Sequence, residues 1–146
     1  MGLSSRVKEC CVVLDTNVLM LISEGRNIFE EIDDLLLVRC KYIILDVVLN
    51  ELRKIAHKHP KSIIRRKAKN VLQLLESKLK DRYIVVPTEY GDKYSIDDVI
   101  LEYALAKKCY IASNDRDLRR KARQLGVPEI YLREEKQLFE ASKEFI

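Results

Sequence analysis

The sequence has no tryptophan, only three prolines and only four glycines among its 146 residues. So few prolines and glycines argue against disordered segments and flexible linkers. No apolar run approaches the roughly 20 residues that a membrane-spanning helix requires, and the N-terminus lacks the long apolar segment of a secretory signal. These absences predict a single cytoplasmic domain over residues 1–146 that has no membrane partner.

Cysteine is also scarce, and no pair has the Cys-x-x-Cys spacing of a redox or zinc motif. At least three of the four cysteines fall in or beside predicted strands. We therefore interpret them as buried apolar residues in a reducing cytosol, with a zinc or disulfide role as the alternative. They are Cys10, Cys11, Cys40 and Cys109.

The excess of positive charge is small. The chain has 27 Lys and Arg residues and 23 Asp and Glu residues, which gives a formal charge of +4. A mildly basic chain is compatible with a polyanionic partner without indicating one by itself.

Short apolar runs alternate with segments of helical periodicity along the chain. The runs predict four strands and a short fifth, at residues 10–14, 42–45, 83–86, 109–112 and 130–132. Such alternation favours right-handed βαβ units and a mostly parallel, doubly wound sheet of four to five strands, in a three-layer α/β/α sandwich. The charged tail, 134–146, is predicted to be helical.

Acidic residues stand where two strands end and where two helices begin. Asp15 follows the first strand and Asp115 follows the fourth, while Glu51 and the adjacent Asp97 and Asp98 lie near helix starts. In a parallel sheet these positions share one edge, the edge where ligands bind. Each acid alone could simply offset a helix dipole or cap a helix. Together they predict a cluster whose mutual repulsion a hard divalent cation would relieve, which suits phosphodiester hydrolysis.

The sequence resembles the PIN-domain ribonucleases in four segments, which together run from Val12 to Ala122. The segments are VVLDTNVL, DVVLNELRKI, SIDDVILEYA and CYIASNDRDLRRKA. In that family four acids chelate one or two Mg²⁺ or Mn²⁺ ions and cut single-stranded RNA. The resemblance assigns these catalytic and metal-binding roles to Asp15, Glu51, Asp97 and Asp115, and polar support roles to Asn17, Ser113 and Asn114.

The third acid requires a choice between two neighbours. Asp97 precedes Ile100 by three residues and Leu101 by four, so it shares their inward face. Asp98 is rotated away and is retained as an auxiliary or exposed acid. We therefore expect Asp97 to be the ligand.

A basic strip follows the last acid on the next helix. We expect this strip to bind RNA phosphates, and its members are Arg116, Arg119, Arg120 and Arg123. The alternative interpretation is that these arginines simply form a solvated helix face. Tyr90 and Tyr94 are candidates for stacking on bases. His57 and His59 are interpreted as cations that interact with a helix C-terminus.

Within the family, the final segment looks closest to the archaeal and eukaryotic branch that trims small-subunit ribosomal RNA, and VapC-type toxins are also similar. The resemblance implies single-stranded RNA as a partner. It also suggests further binding partners, namely a second copy of the chain, an antitoxin or pre-ribosomal proteins. A phosphoacceptor receiver domain fits poorly, since its acceptor should end the third strand, where Val86 and Pro87 stand. A non-catalytic RNA-binding module is the remaining alternative.

Overall fold

The computed structural model describes residues 9–89 and 93–142. Its strands are β1 (Cys11–Leu14), β2 (Lys41–Leu45), β3 (Tyr83–Val86), β4 (Tyr110–Ala112), β5 (Glu129–Arg133) and β6 (Leu138–Ala141). Its α-helices are α1 (Thr16–Leu19), α2 (Ile28–Leu36), α3 (Asp46–Lys58), α4 (Ser62–Glu76), α5 (Ile96–Lys107) and α6 (Arg116–Gln124). Two short 3₁₀ segments, Met20–Glu24 and Lys80–Arg82, extend α1 and precede β3.

The strands form one sheet in the order β3-β2-β1-β4-β5-β6, and every neighbouring pair is parallel except β5 and β6. This mostly parallel, doubly wound sheet confirms the predicted fold class. The central strands are buried apolar runs, with Val12, Val13 and Leu14 fully inaccessible to solvent. Helical layers on the sheet account for this burial, because a parallel strand is covered on both faces.

The chain winds outward from β1 in both directions. It first passes to β2 and β3, then returns to place β4 beside β1 and continues to β5. The carboxyl ends of β1 and β4 therefore flank the point where the strand order reverses, which opens a crevice in sheets of this kind. Asp15 directly follows β1, and its backbone N–H donates to the carbonyl of Ala112 at the end of β4, 3.0 Å away.

Part of the C-terminal tail, Leu138–Ala141, is a strand where a helix was predicted, and residues 143–146 of that tail lie outside the described residues. β6 pairs antiparallel with β5, with Ile130 opposite Ala141 and Leu132 opposite Phe139. Phe139 is buried, and Arg26 lies over its ring. The charged composition favoured a helix, but pairing with an open sheet edge and burial of one aromatic ring decided the conformation. The sheet thus has six strands, one more than expected.

The cysteines form two disulfides, so the disulfide alternative is correct and the interpretation as unbonded apolar residues was wrong. Cys10 is bonded to Cys40 and Cys11 to Cys109. All four lie at the amino ends of the three adjacent strands β2, β1 and β4, where the parallel register places them side by side. Such bonds are typical of oxidising compartments and of intracellular proteins of hyperthermophiles. They cross-link the sheet at the end away from the crevice.

No helix in the described part of the chain is both long and apolar enough to cross a membrane.

Candidate active site

Four acidic side chains line one cleft of about 360 Å³ at the carboxyl edge of the sheet. They come from four separate parts of the sequence, namely Asp15 after β1, Glu51 in the second turn of α3, Asp97 in the first turn of α5, and Asp115 before α6. The structure therefore brings together the four acids that the sequence singled out. Asp98 does not line the cleft and is exposed.

Asp15 is the most buried of these acids, with 6 % of its surface exposed. One carboxylate oxygen caps α1 by accepting from the Thr16 backbone N–H at 2.8 Å. The other accepts from the Ser113 hydroxyl at 2.7 Å and from the Asn17 side-chain amide at 3.0 Å. Three donors therefore hold this carboxylate in one orientation, which is the property required of a residue that positions a ligand.

Ser113 links the two strand-end acids. Its hydroxyl donates to Asp15 and accepts from the Asp115 backbone N–H at 3.0 Å. Asp115 in turn caps α6, since its Oδ1 accepts from the backbone N–H groups of Asp117 and Leu118. Asp115 therefore caps the helix with one oxygen and also lines the cleft.

Two asparagines tie this rim to its neighbours. The Asn17 side chain accepts from the Asn114 backbone N–H at 3.0 Å, and the Asn114 side chain accepts from the Leu132 backbone N–H at 2.8 Å. These bonds connect α1, the β4–α6 turn and β5 across the crevice. The three residues assigned support roles therefore all lie in one hydrogen-bond network with Asp15.

The charges of the cleft repel one another. Burial raises the pKa of Asp15, with Glu51 and Asp115 adding to the rise while the hydrogen bonds from Ser113 and Thr16 oppose it. Burial also raises the pKa of Asp97, and the charges of Asp15, Asp115 and Glu51 raise it further, against a smaller opposing effect of Lys121. A site that destabilises the ionised form of its own carboxyl groups in this way favours binding of a cation.

The donor set has the chemistry of a hard divalent metal site, since it consists of carboxylate oxygens at a partly desolvated edge. Within residues 9–89 and 93–142, no three acidic, imidazole or thiol side chains are already arranged to hold an ion. Glu51 and Asp97 are half-buried and, in that part of the chain, make no side-chain hydrogen bond or ion pair. Rotation of these two side chains toward Asp15 and Asp115 is therefore open to them.

The basic strip on α6 is divided in its contacts. Arg119 and Arg123 both pair with the buried Glu129, and Arg120 pairs with Asp117 at 3.2 Å. Arg116 is exposed and makes no such contact with the described residues, whereas each of the other three has a carboxylate partner. Of the two tyrosines, Tyr94 is half-exposed, and Tyr90 lies outside the described residues.

The comparisons with known proteins agree with this geometry. Residues 12–135 match the family model described as a PIN like domain. This chain belongs to the PIN-like domain family. It is 32 % identical over 139 residues to Ribonuclease VapC9 of Archaeoglobus fulgidus, a match that covers 94 % of this chain and 93 % of that protein.

Two solved structures share the fold of this PIN-like domain. The PIN domain endonuclease Utp24 has a TM-score of 0.71 at 21 % identity, with 92 % of each chain covered. A PilT N-terminus domain protein of Sulfolobus solfataricus has a TM-score of 0.55 at 16 % identity, with 83 % of this chain and 86 % of that chain covered. The resemblance stated from the sequence motifs is therefore confirmed at the level of the family and of the fold.

The cleft also contains residues that the sequence did not single out as site residues. Met20, Ile55, Ile64 and Ile96 form an apolar wall, and His59 lies at the same cleft. The spacing of Glu51, Ile55 and His59, four residues apart, is the signal in the sequence that could have placed them on one side of α3 and its end. Ile55 by itself has the pattern of an ordinary core position.

Proposed function

We propose that this PIN-like domain is a metal-dependent endoribonuclease that hydrolyses phosphodiester bonds in single-stranded RNA. The observation that supports it is the meeting of Asp15, Glu51, Asp97 and Asp115 in one cleft, where burial and then the neighbouring acidic charges raise the pKa of Asp15 and Asp97. The ribonuclease named among its relatives, similar over almost the whole chain, points to the same reaction.

Asp15 and Asp115 would hold one or two Mg²⁺ or Mn²⁺ ions from the strand ends, joined by Glu51 and Asp97 from helices α3 and α5. A bound ion of this kind supplies a water of lowered pKa and stabilises the charge that develops on the phosphate oxygens. The chain's own part is orientation. Ser113 and Asn17 fix the Asp15 carboxylate, while α5 and α6 point their positive N-terminal ends at the place where a phosphate would lie.

The direct test measures cleavage of a fluorescent single-stranded RNA in EDTA and after addition of Mn²⁺ or Mg²⁺. We expect no cleavage in EDTA and recovery with either ion. Asp15→Asn should abolish cleavage with the ion present and leave the circular dichroism spectrum unchanged. Cleavage that persists in EDTA, or in the folded Asp15→Asn protein, would contradict the proposal; absence of cleavage under all conditions would favour a non-catalytic RNA-binding module.

Arg116 is proposed as the phosphate contact next to the cleft. It follows Asp115 directly, is exposed, and lines a second cavity of about 240 Å³ with Asn114 and Tyr131. We expect Arg116→Ala to weaken RNA binding and to lower the slope of log affinity against log salt by about 0.7, the value for one phosphate contact on a single strand. Fluorescence anisotropy at several salt concentrations measures both quantities.

The matched control is Lys78→Ala, which removes an equally exposed cation just after α4, near the amino end of β3. It should leave the salt slope unchanged. Equal slopes for Arg116→Ala and the unmodified protein would exclude Arg116 as a phosphate contact.

For the biological role, we propose a VapC-type toxin ribonuclease paired with an antitoxin ahead of a role in ribosomal RNA processing. The relative named VapC9 is 32 % identical over 94 % of this chain, whereas the likeness to Utp24, at 21 % identity, concerns the fold alone. A gene for a small antitoxin beside this one, whose product inhibits RNA cleavage, would support the toxin role.

A further inference from the structure

The cleft that holds the four acids extends along α3 into an apolar wall. Glu51, Ile55 and His59 lie four residues apart and all three line the cleft. At 1.5 Å of rise per residue, Ile55 is about 6 Å and His59 about 12 Å from Glu51 along the helix axis. One face of α3, continued by the residue that directly follows it, therefore passes from an acid through an apolar side chain to an imidazole.

The wall is apolar and only partly buried. Ile55, Ile64, Met20 and Ile96 each line the cleft and keep part of their surface accessible, and Met20, Ile55 and Ile96 also pack against the core. Apolar side chains left accessible in a concave site, with a few polar groups at its ends, are typical of a surface that binds a flat organic ligand. The volume, about 360 Å³, lies within the roughly 300–1,000 Å³ range of such sites.

His59 supplies a polar side chain at the far end of this wall. Its Nδ1 accepts a hydrogen bond from the Lys61 backbone N–H at 3.1 Å, so the neutral ring carries its proton on Nε2. Its backbone carbonyl accepts from the Arg65 guanidinium, which further fixes the turn between α3 and α4. A half-buried ring held in this tautomer offers an N–H donor, and a nucleobase has carbonyl oxygens and ring nitrogens that accept one.

We propose that this wall is a nucleobase subsite, which seats the base next to the scissile phosphate between Ile55 and Ile64 with its edge toward His59. The inference rests on the proposed function, since the acids at one end of the same cleft would fix the phosphate to which that base is attached. His59 acts in it as a specificity-determining residue and takes no part in the chemistry.

The first experiment observes the wall directly and requires no cleavage. The isoleucine δ1 methyl groups of the Asp97→Asn protein are labelled for NMR. Either an ordinary single-stranded RNA or an abasic oligonucleotide is then added. We expect the methyl resonances of Ile55 and Ile64 to shift with ordinary RNA, through the ring currents of the base, and not with an abasic oligonucleotide of the same length. Ile84, on the distant edge strand β3, is the internal control.

The second experiment measures sequence preference in the active enzyme. Sites cleaved in a randomised RNA are compared for the unmodified protein, His59→Ala and His59→Gln. We expect His59→Ala to lose about tenfold in preference at one base position, the value of one hydrogen bond in a desolvated site, and His59→Gln, which keeps an N–H donor at the same reach, to retain most of it.

The two proposals fail separately in these experiments. Methyl shifts that depend on the bases in Asp97→Asn, together with no cleavage by the unmodified protein with any added ion, would overturn the nuclease assignment and support a base-binding site on the wall. The subsite would be overturned if RNA is cleaved in a metal-dependent way but the Ile55 and Ile64 methyl resonances do not shift, or shift equally with abasic RNA. The nuclease assignment would then stand. An unchanged base preference in His59→Ala would remove His59 from the subsite.

Discussion

Replacing Asp97 with asparagine is expected to reduce RNA cleavage by more than about 100-fold while raising the melting temperature of the metal-free protein. Loss of a residue that merely supports a metal ligand typically costs about 10–100-fold in activity, so loss of a ligand should cost more. The gain in stability follows from the charges of Asp15, Asp115 and Glu51, which already raise the pKa of Asp97. Removing one of four like charges relieves that repulsion.

The pH dependence of this gain has a defined sign. Because the pKa of Asp97 is raised on folding from its usual 3.8, the folded protein binds more protons than the unfolded chain between the two values. The advantage of Asp97→Asn is therefore complete at neutral pH. It shrinks as the pH falls through the raised pKa and is lost below the usual one. Thermal unfolding monitored between pH 7 and pH 3.5 measures this trend.

Asp98→Asn is the matched control, since it removes the same charge from the same turn of α5. Asp98 is exposed and does not line the cleft, so its removal should change both activity and melting temperature little. The difference between the two variants isolates the repulsion within the cleft from the effect of the helix dipole, which acts on both residues. Each kcal/mol of relief corresponds to about 2–4 °C in a domain of this size. Retained cleavage in Asp97→Asn together with lost cleavage in Asp98→Asn would reverse the assignment of the third ligand.

Replacing Arg119 with alanine is expected to lower the free energy of unfolding by about 1–3 kcal/mol, because a buried charge loses its shorter ion pair and keeps only the longer one. Glu129 at the start of β5 has no exposed surface. Its Oε1 accepts from Arg119 Nε at 2.7 Å and from Arg123 at 3.4 Å, while its Oε2 has no hydrogen-bond partner among the residues that the structure describes. Arg119 also lies over the Tyr131 ring, 3.7 Å from its centre, so packing is lost with the charge.

Urea unfolding measures this effect, with Arg120→Ala as the control. Arg120 lies on the same helix, but its pair with Asp117 is exposed on both sides, so its loss should cost less than about 1 kcal/mol. Adding Glu129→Gln to Arg119→Ala removes the Glu129 charge that has lost its Arg119 partner, and this should restore part of the stability. Equal stability for the two single arginine variants would show that Glu129 does not depend on Arg119.

This division of the arginines illustrates a limit of reading charge from sequence. A basic run after Asp115 indicated a phosphate-binding strip, and helical periodicity placed Arg116, Arg120 and Arg123 on one face with Arg119 beside it. The residue that separates them is Glu129, which stood inside a predicted loop before a short strand. Only the folded chain shows that this acid is buried against α6, where it engages Arg119 and Arg123 and leaves Arg116 free.

The cysteines show the same limit more plainly. Their spacing matched no known motif, and isolated cysteines near strands usually fill a core. Their pairing depends on which strands are neighbours, since Cys10 and Cys11 meet Cys40 and Cys109 only because β1 lies between β2 and β4. The tail was misread for a similar reason, because its pairing with β5 is a tertiary contact and its local composition favours a helix.

The sequence alone determined the alternation of buried strands and amphipathic helices, and it placed an acid at each strand or helix end that could reach one edge. Local pattern suffices for this, because burial on two faces and the start of a helix each leave a mark within a few residues. Tertiary structure decided that the strand order reverses between β1 and β4. As a result the Ser113 hydroxyl bridges the two acids, donating to the Asp15 carboxylate and accepting from the Asp115 backbone N–H. Tertiary structure also decided which cations are free and what lines the cleft beside the acids. Those features arise from contacts between residues up to about a hundred positions apart, and no local pattern encodes them.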